Sequence, residues 1–254
     1  MILFLRRFHH YWYQFFVAFF FAVLFPVFYY YSRKPERYPT LNKFRKLWSQ
    51  LSFFFSGIFY EVIYTKGQEP FGTYIYCGNH ASHIDTPFMC IIARGNYHFI
   101  GKHELLVHPV LKLFFKTIDI PVNRESKISG YRAFKKAAEN IAAGMSLIIY
   151  PEGGIPASYP VMDEFKAGAF RLAIENKTPI VPITFLNNFT FFPDDGDEKG
   201  TTPGISRIII DPPIPTAHLS VNDDEVLRDQ VYRIIHNNLN SYLTKHQLVP
   251  NESR

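Results

Sequence analysis

A long apolar run near the N-terminus limits what this chain can become more than any other feature. From Tyr11 to Tyr31 the chain reads YWYQFFVAFFFAVLFPVFYYY, in which Gln14 is the one strongly polar residue. As a helix, this run would be about 30 Å long, which matches the hydrocarbon thickness of one bilayer. Aromatic residues at both ends are typical of membrane interfaces. The bulky FYYYSRK that closes the run argues against a cleaved signal peptide, because cleavage sites need small residues.

A second helical pattern, flanked by basic residues, follows the first. Apolar side chains recur at three- to four-residue spacing at Leu41, Phe44, Trp48, Leu51, Phe55, Ile58, Phe59 and Val62. Pro35 and Pro39 mark the turn between the two helices. We therefore expect an N-terminal membrane-anchoring helical pair over residues 1–66. Its basic residues would face anionic membrane lipids: Arg33, Lys34, Arg37, Lys43, Arg45 and Lys46.

The positive charge of the protein belongs to this N-terminal segment. The first 64 residues hold eight Lys or Arg and two Glu, a net +6, whereas the whole chain carries +5. If the first helix spans the bilayer, this bias predicts that the following domain lies on the cytoplasmic side. Two ordinary core helices are the alternative, although so many Phe beside Arg and Lys exceed what core helices need. The aromatic residues form a solid block instead of alternating with charge, which argues against nucleic acid as a partner.

After Lys66 the sequence pattern changes to short apolar runs that alternate with helical patterns. The predicted strands are Thr73–Cys77, Tyr97–Ile100, Ile118–Val122, Ser146–Tyr150, Ile180–Phe185 and Ser206–Ile210. The predicted helices cover about 85–94, 104–116, 127–143, 165–176 and 222–246, and 187–204 reads as a polar loop or hairpin. The fold class is therefore α/β, a mixed, largely parallel sheet flanked by helices and preceded by the helical pair. We expect this α/β domain to cover residues 67–254, with ligands at the carboxyl ends of its strands.

Several functional classes find no support in the sequence. The two cysteines, Cys77 and Cys90, are not in a C-x-x-C motif, so neither a disulfide scaffold nor a cysteine-based zinc site is expected. No G-x-G-x-x-G, Walker or G-x-S-x-G motif occurs, which argues against nucleotide binding and serine hydrolysis.

The stretch YIYCGNHASHIDTPF, residues 74–88, combines two histidines with one carboxylate after an apolar run. If His80 lies in the turn after a strand and Asp85 in the first turn of the next helix, their side chains can meet. A carboxylate that accepts from one imidazole nitrogen leaves the other nitrogen as a base. His83 and Asp85 would point to opposite sides of a helix. His80 is therefore the candidate general base, oriented by Asp85.

Other roles for this stretch stay open. A metal site would need further ligands, and no second His/Asp cluster is evident, so no metal is expected. His83 could be a helix cap or a surface residue. Cys77 could be a nucleophile, but its place inside a strand run is typical of a small apolar filler.

Four ordered blocks give this chain a family resemblance. NHASHID resembles the N-H-x-S-x-x-D block of the glycerolipid acyltransferases, which include the 1-acylglycerol-3-phosphate acyltransferases. The segment 120–124, IPVNR, is similar to the second block and 150–154, YPEGG, to the third. The stretches FKAGAFRLA, 165–173, and PIVPI, 179–183, are similar to the Lys-Gly helix start and the fourth block.

This resemblance implies a membrane-associated O-acyltransferase. It would move a fatty acyl group from acyl-CoA or acyl carrier protein to the hydroxyl of a lysolipid, giving phosphatidic acid from 1-acylglycerol-3-phosphate, with no cofactor. His80 and Asp85 would be catalytic. The substrate-binding candidates are Lys102, Arg124, Glu152, Gly153 and Lys166. The alternatives are ordinary structural roles. Lys102 and Lys166 could be surface cations, Arg124 could form a surface salt bridge, and Glu152 and Gly153 could belong to an ordinary tight turn.

One departure from the family pattern leaves the acceptor open. The third block usually continues P-E-G-T-R-S, whereas this chain has Ile155 in place of the arginine. Either the remaining basic residues hold a phosphate, or the acceptor is a lyso-aminolipid of the ornithine or glycine type. A membrane-tethered lipid-binding protein without catalysis is the alternative from another functional class.

Overall fold

A computed structural model of the protein describes residues 1–66 and 72–248. In this part of the chain one mixed sheet holds seven strands: β1 (Ile58–Tyr64), β2 (Ile75–Gly78), β3 (Tyr97–Lys102), β4 (Ile120–Val122), β5 (Ser146–Ile149), β6 (Ile180–Phe185) and β7 (Gly204–Ile210). Their order is β1-β7-β6-β2-β5-β3-β4. Neighbouring strands are parallel except β6 and β7, so the predicted largely parallel α/β class is confirmed.

Helices cover both faces of this sheet. They are α1 (Ile2–Tyr31), α2 (Tyr38–Phe55), α3 (Asp85–Ile92), α4 (Lys112–Phe115), α5 (Lys127–Ala142), α6 (Gly168–Glu175), α7 (Asn188–Phe191), α8 (Gly196–Lys199) and α9 (Asp224–Lys245). Short 3-10 turns lie at Pro35–Arg37, His103–Leu106 and Val221–Asp223.

The central strands bury both of their faces, which explains their continuous apolar runs. Along β2 the side chains alternate between two cores, with Tyr76 in one and Ile75 and Cys77 in the other. The first core includes Phe53 of α2 and Phe88 of α3. The second is completed by side chains of α5, α6 and α9.

The two N-terminal helices pack against each other and against the α/β body. Trp48 of α2 donates its indole N–H to the Val17 carbonyl of α1 at 3.0 Å. Phe28 of α1 and Leu41 of α2 are fully buried together with Phe114 of α4. By length and composition α1 could cross a membrane, and only 11% of its most apolar stretch is buried inside the protein. A wide apolar face of α1 therefore points outward, which suggests membrane association.

Two predicted elements are wrong in their extent. The second helix was expected to continue to Val62, but α2 ends at Phe55 and β1 follows. Gly57, with φ at +66°, provides the left-handed residue that commonly stops a helix. The helix expected over 104–116 is a 3-10 turn and the short α4, because Pro109 between them cannot continue a helix.

The other elements lie close to their predicted bounds, and β6 matches its prediction residue for residue. The polar stretch 187–204 contains α7, α8 and the start of β7. The domain boundary expected after Lys66 falls at residues 67–71, outside the described residues. β1 lies on the N-terminal side of that boundary and pairs with β7 over its whole length.

Candidate active site

His80 and Asp85 meet across the turn that joins β2 to α3. β2 ends at Gly78, and Asp85 is the first residue of α3, so the turn folds the imidazole back over the helix start. His80 Nδ1 lies 2.9 Å from Asp85 Oδ2. The turn geometry anticipated from the sequence is therefore present in the structure.

The carboxylate of Asp85 is fully buried and receives several hydrogen-bond donors. Its Oδ2 also accepts from the backbone N–H groups of Ala81 and Ser82, each at 2.9 Å. Its Oδ1 accepts from Asn188 Nδ2 at 2.7 Å. Because Oδ2 is an acceptor in these contacts, His80 donates through Nδ1 and keeps a lone pair on Nε2. That tautomer is the one a general base needs.

Two further contacts hold His80 from other directions. Its imidazole stacks on the ring of Tyr150, which directly follows β5, with centroids 4.0 Å apart. Its backbone N–H donates to Glu152 Oε1 at 2.7 Å. The His80 side chain is 14% exposed, so it is held firmly yet reaches solvent.

His83 lies apart from this arrangement. Its side chain is 66% exposed, and Nε2 lies 2.9 Å from Asp194 Oδ1. It therefore does not compete with His80 for Asp85.

Glu152 is buried beneath the site. Its Oε1 accepts from the His80 N–H, and its Oε2 accepts from the Asp163 N–H at 3.0 Å. Burial raises the pKa of Glu152 to about 7, although both backbone N–H groups oppose the rise. The resemblance implied substrate binding for this residue, whereas its two oxygens bond to backbone on both sides of the site.

Cationic side chains surround the glycine turn that follows Glu152. Gly153 adopts φ of +86°, and a side chain there would collide with Lys166 Nζ, at 2.5 Å from the position of its Cβ. A side chain at Gly154 would come within 3.3 Å of Arg124 Nη1. Glycine is therefore needed at 153 both for backbone conformation and for the approach of the Lys166 ammonium group.

Arg124 follows β4 and is exposed to solvent, although its guanidinium is partly enclosed. Burial lowers the pKa of its guanidinium, while Glu104 acts in the opposite sense. Among the described residues Arg124 makes no ion pair within 4.0 Å. A partly desolvated cation without a bound carboxylate is suited to binding an anion.

A cavity of about 590 Å³ opens beside His80 and continues between the sheet and the N-terminal helices. At the site end it is lined by His80, Lys102, Arg124, Tyr150 and Ile155. Its apolar lining includes Val17 of α1, Trp48 of α2 and Phe99, Leu111, Phe114 and Phe115. The cavity therefore joins a polar, cationic end to a mainly apolar part.

One predicted lipid-facing residue has a different environment. Arg45 was expected among the basic residues that face head groups, but it is 5% exposed and lines the cavity. Its Nη2 lies 2.8 Å from Asp119 Oδ2, and its guanidinium lies over the Phe99 and Phe114 rings. The expectation for Arg45 is wrong because a buried carboxylate 74 positions away pairs with it.

The structure also bears on the two alternative chemistries, a cysteine nucleophile and a metal site. Cys77 is fully buried inside β2, and burial raises the pKa of its thiol. A buried neutral thiol is a poor nucleophile. Within residues 1–66 and 72–248, no group of three or more His, Cys, Asp and Glu side chains could hold a metal ion.

Sequence reasoning missed two residues of this site. Tyr150 was assigned to a strand run and to the YPEGG block without a role of its own, and Asn188 only to a polar loop. The YPEGG block could have drawn attention to Tyr150, whereas Asn188 carries no local signal, because it reaches the site through the order of the strands.

Comparisons with known proteins relate the chain to acyltransferases. The model of a family described as Acyltransferase matches residues 62–186. A chloroplastic 1-acyl-sn-glycerol-3-phosphate acyltransferase of Brassica napus is 30% identical over 141 residues, which cover 55% of this chain and 40% of the relative. The human 1-acyl-sn-glycerol-3-phosphate acyltransferase alpha is 27% identical over 177 residues, 69% of this chain and 62% of the relative. The chain thus spans about 40–60% of the length of these relatives.

A solved structure shares the whole fold. The crystal structure of the 1-acyl-sn-glycerophosphate acyltransferase PlsC from Thermotoga maritima aligns with a TM-score of 0.77 at 17% identity. The alignment covers 95% of this chain and 98% of that one. At this identity, the likeness describes the fold, including the N-terminal helices and the mixed sheet.

Proposed function

This chain belongs to the acyltransferase family, and we propose that it transfers a fatty acyl group from an acyl thioester to the hydroxyl of a lysolipid. The names of its relatives favour 1-acyl-sn-glycerol 3-phosphate as acceptor, with phosphatidic acid as product. The observation that carries the proposal is the His80–Asp85 pair at the polar end of a mainly apolar cavity.

His80 acts as the general base in this proposal. Its Nε2 removes the hydroxyl proton of the acceptor as the oxygen attacks the thioester carbonyl carbon. Collapse of the tetrahedral intermediate breaks the carbon–sulfur bond, and the imidazolium returns the proton to the leaving thiolate. Asp85 holds the imidazole in the correct tautomer and stabilises its charged form. The products are an ester and a free thiol, and His80 is restored without a covalent enzyme intermediate.

The apolar part of the cavity suits a fatty acyl chain. Its walls bring aromatic and aliphatic side chains of α1, α2 and α4 close to the site. Such a lining removes hydrocarbon from water, at about 0.8 kcal/mol for each buried CH₂ group. The same N-terminal helices carry the outward apolar surface, so lipid could enter the cavity directly from a membrane.

Arg124 and Lys166 are the proposed anion-binding residues, with Lys102 at the cavity wall as a third cation. Gly153 lets Lys166 approach the turn, and Glu152 supports the turn from beneath. Ile155 lines the cavity where the family pattern has an arginine. A lyso-aminolipid acceptor therefore remains the second candidate, because Ile155 adds no charge.

We further propose that residues 1–66 act as the membrane anchor and 67–254 as the acyltransferase domain, with the active site on the cytoplasmic side. The basic residues near the N-terminal helices support this orientation. Either acyl-CoA or acyl carrier protein could serve as donor, since both present a thioester and carry negative charge. No cofactor is needed for this reaction.

An acyl-transfer assay in phospholipid vesicles tests the proposal. Purified protein is given acyl-CoA or acyl carrier protein thioester with lysophosphatidic acid, lyso-ornithine lipid or lyso-glycine lipid, and products are identified by mass spectrometry. We expect phosphatidic acid, unaffected by metal chelators. Lipid binding without transfer from any donor would favour the non-catalytic alternative, and ester formation on an aminolipid would identify the second acceptor class.

A pair of arginine variants tests the head group. Arg124→Gln should raise the KM for lysophosphatidic acid about tenfold or more, because a charge-assisted hydrogen bond is lost. Arg132→Gln, on the exposed side of α5, is the matched control and should leave this KM unchanged. An unchanged KM in Arg124→Gln would contradict the assignment of Arg124 to the phosphate.

A further inference from the structure

We propose that Asn188 is a positioning residue that holds the Asp85 carboxylate, and through it His80; this inference rests on the proposed function. Asn188 is the first residue of α7, the short helix that follows β6. It is 1% exposed, and its Nδ2 donates to Asp85 Oδ1 at 2.7 Å. It lies beyond residues 62–186, the part of the chain that matches the family.

The amide of Asn188 has one polar contact among the described residues. Its Nδ2 bonds to Asp85, and its Oδ1 is buried without a hydrogen-bond partner in that part of the chain. A turned-over amide would direct Oδ1 at the carboxylate, so the observed orientation is the favourable one. The hydrogen bond to Asp85 therefore explains why a polar side chain occupies this buried position.

Two links tie the segment 188–192 to the start of α3. Besides the contact to Asp85, the carbonyl of Phe192 accepts a hydrogen bond from Ser82 Oγ. Ser82 in turn donates its backbone N–H to Asp85 Oδ2. The two Asp85 oxygens are thus held from opposite sides, Oδ2 by the local turn and Oδ1 by a segment 103 positions away.

This division of roles explains what Asn188 contributes to the reaction. The backbone donors at Ala81 and Ser82 and the imidazole all bind Oδ2, whereas Asn188 holds Oδ1 against rotation of the carboxylate about its Cβ–Cγ bond. The bond from Asn188 to Oδ1 therefore adds a restraint on the carboxylate plane, and this plane affects the direction of the His80 hydrogen bond. A misplacement of about 1 Å in a catalytic group can cost about 10²-fold in rate.

Asn188→Leu and Asn188→Asp are the test variants, because both side chains have nearly the shape of asparagine. Asn188→Leu removes the donor and should lower kcat about tenfold to a hundredfold, with KM nearly unchanged. Asn188→Asp places a second carboxylate at hydrogen-bond distance from Asp85. Two carboxylates this close share one proton, so the pair can keep its hydrogen bond at low pH and repels at high pH.

The pH profile of Asn188→Asp is the readout that a merely structural role would not change. We expect kcat of this variant to approach that of the wild type near pH 6 and to fall as pH rises to 8, where the wild type stays active. Its melting temperature should show the same trend, with a deficit against the wild type that grows from pH 6 to pH 8. The melting curve needs no substrate, so it tests the carboxylate contact even if the assay fails.

Asn187→Ala is the matched control. Asn187 is also buried, but its amide bonds to the backbone of Ile205 and Arg207 at 2.8 Å, and within the described part of the chain it makes no hydrogen bond to Asp85. This variant should lower the melting temperature without a change in the pH dependence of kcat. An equal change in the pH profile of Asn187→Ala would assign the Asn188 effects to packing and overturn the inference.

The inference and the proposed function fail in different ways. Wild-type kcat and pH profile in both Asn188 variants, with His80→Ala inactive, would overturn the inference and leave the proposed function intact. Full activity in His80→Ala would overturn the proposed function. If Asn188→Leu does not fold, the Asn188→Asp pH series decides alone, since that variant should be folded at pH 6; a pH-independent deficit would overturn the inference.

Discussion

The imidazole of His80 lies flat on the ring of Tyr150, with ring planes inclined by 14° and centroids 4.0 Å apart. The hydrogen bond to Asp85 holds one edge of the imidazole, and the stacking contact holds its face. Together the two contacts leave the ring little freedom to rotate, so Nε2 keeps one direction relative to the cavity.

Variants at Tyr150 test this stacking contact. Tyr150→Ala should lower kcat about tenfold or more, because the imidazole can then tilt away from the acceptor hydroxyl. Tyr150→Phe keeps the ring and should retain most of the activity. Steady-state kinetics of the two variants, with circular dichroism to verify folding, makes the comparison. Equal loss in both variants would show that the hydroxyl matters instead of the ring face.

The two histidines of the NHASHID stretch should differ sharply in their importance. His80→Ala and Asp85→Ala remove the base and its partner and should lower kcat by about 10²–10⁴-fold. His83→Ala should retain most activity, since this side chain is exposed and paired with Asp194. The measurement is initial acyl-transfer rate at saturating donor. Substantial activity in His80→Ala would contradict the general-base assignment.

The outward face of α1 should carry the membrane affinity. Phe8, Phe15 and Phe19 are each about half exposed, so moving each into lipid would contribute about half of the roughly 1.5–3 kcal/mol that full burial of such a side chain gives. Replacing all three with serine should release the protein from anionic vesicles in a sedimentation assay. Wild-type binding should resist high salt, because apolar burial is not screened.

Exposed apolar residues on α5 and α9 provide a control for the α1 surface. Ile128 and Tyr131 of α5 and Val226 of α9 are at least as exposed. Their replacement by serine should leave vesicle binding unchanged. If both triple variants bind like the wild type, α1 is not the membrane contact.

His98 should make the fold sensitive to acid. It is fully buried on β3, and burial, with a smaller effect from Arg45, lowers its pKa to about 3. The unfolded chain binds the proton near pH 6.5, so this residue's contribution to stability is complete above that pH. It is lost as pH falls toward 3, by about 3 kcal/mol at pH 4.

His98→Gln tests that assignment, because glutamine does not titrate. The free energy of unfolding of this variant, measured by denaturant titration, should fall less between pH 7 and pH 4 than that of the wild type. Parallel decreases in the two proteins would show that other groups cause the acid sensitivity.

The sequence was most informative where the relevant forces are local. The β-branched run Ile180–Phe185 predicts β6 to the residue, because a strand buried on both faces is apolar throughout. The pattern over Ile58, Phe59 and Val62 fits a helix equally well, and pairing of β1 with β7 decided for a strand. Likewise the helix pattern over 104–116 could not show where Pro109 interrupts it.

The candidate site divides in the same way. The sequence by itself determined the His80–Asp85 meeting, since the residues lie five apart across one strand-to-helix turn. Only the tertiary structure decided that Asn188, 103 positions from Asp85, completes the carboxylate contacts, and that Arg45 pairs with Asp119 inside the cavity. Those contacts follow from the pairing of β2 with β6 and from the packing of α2 on the sheet. Such long-range contacts form because the whole chain buries its apolar surface together. A local sequence pattern therefore cannot predict them.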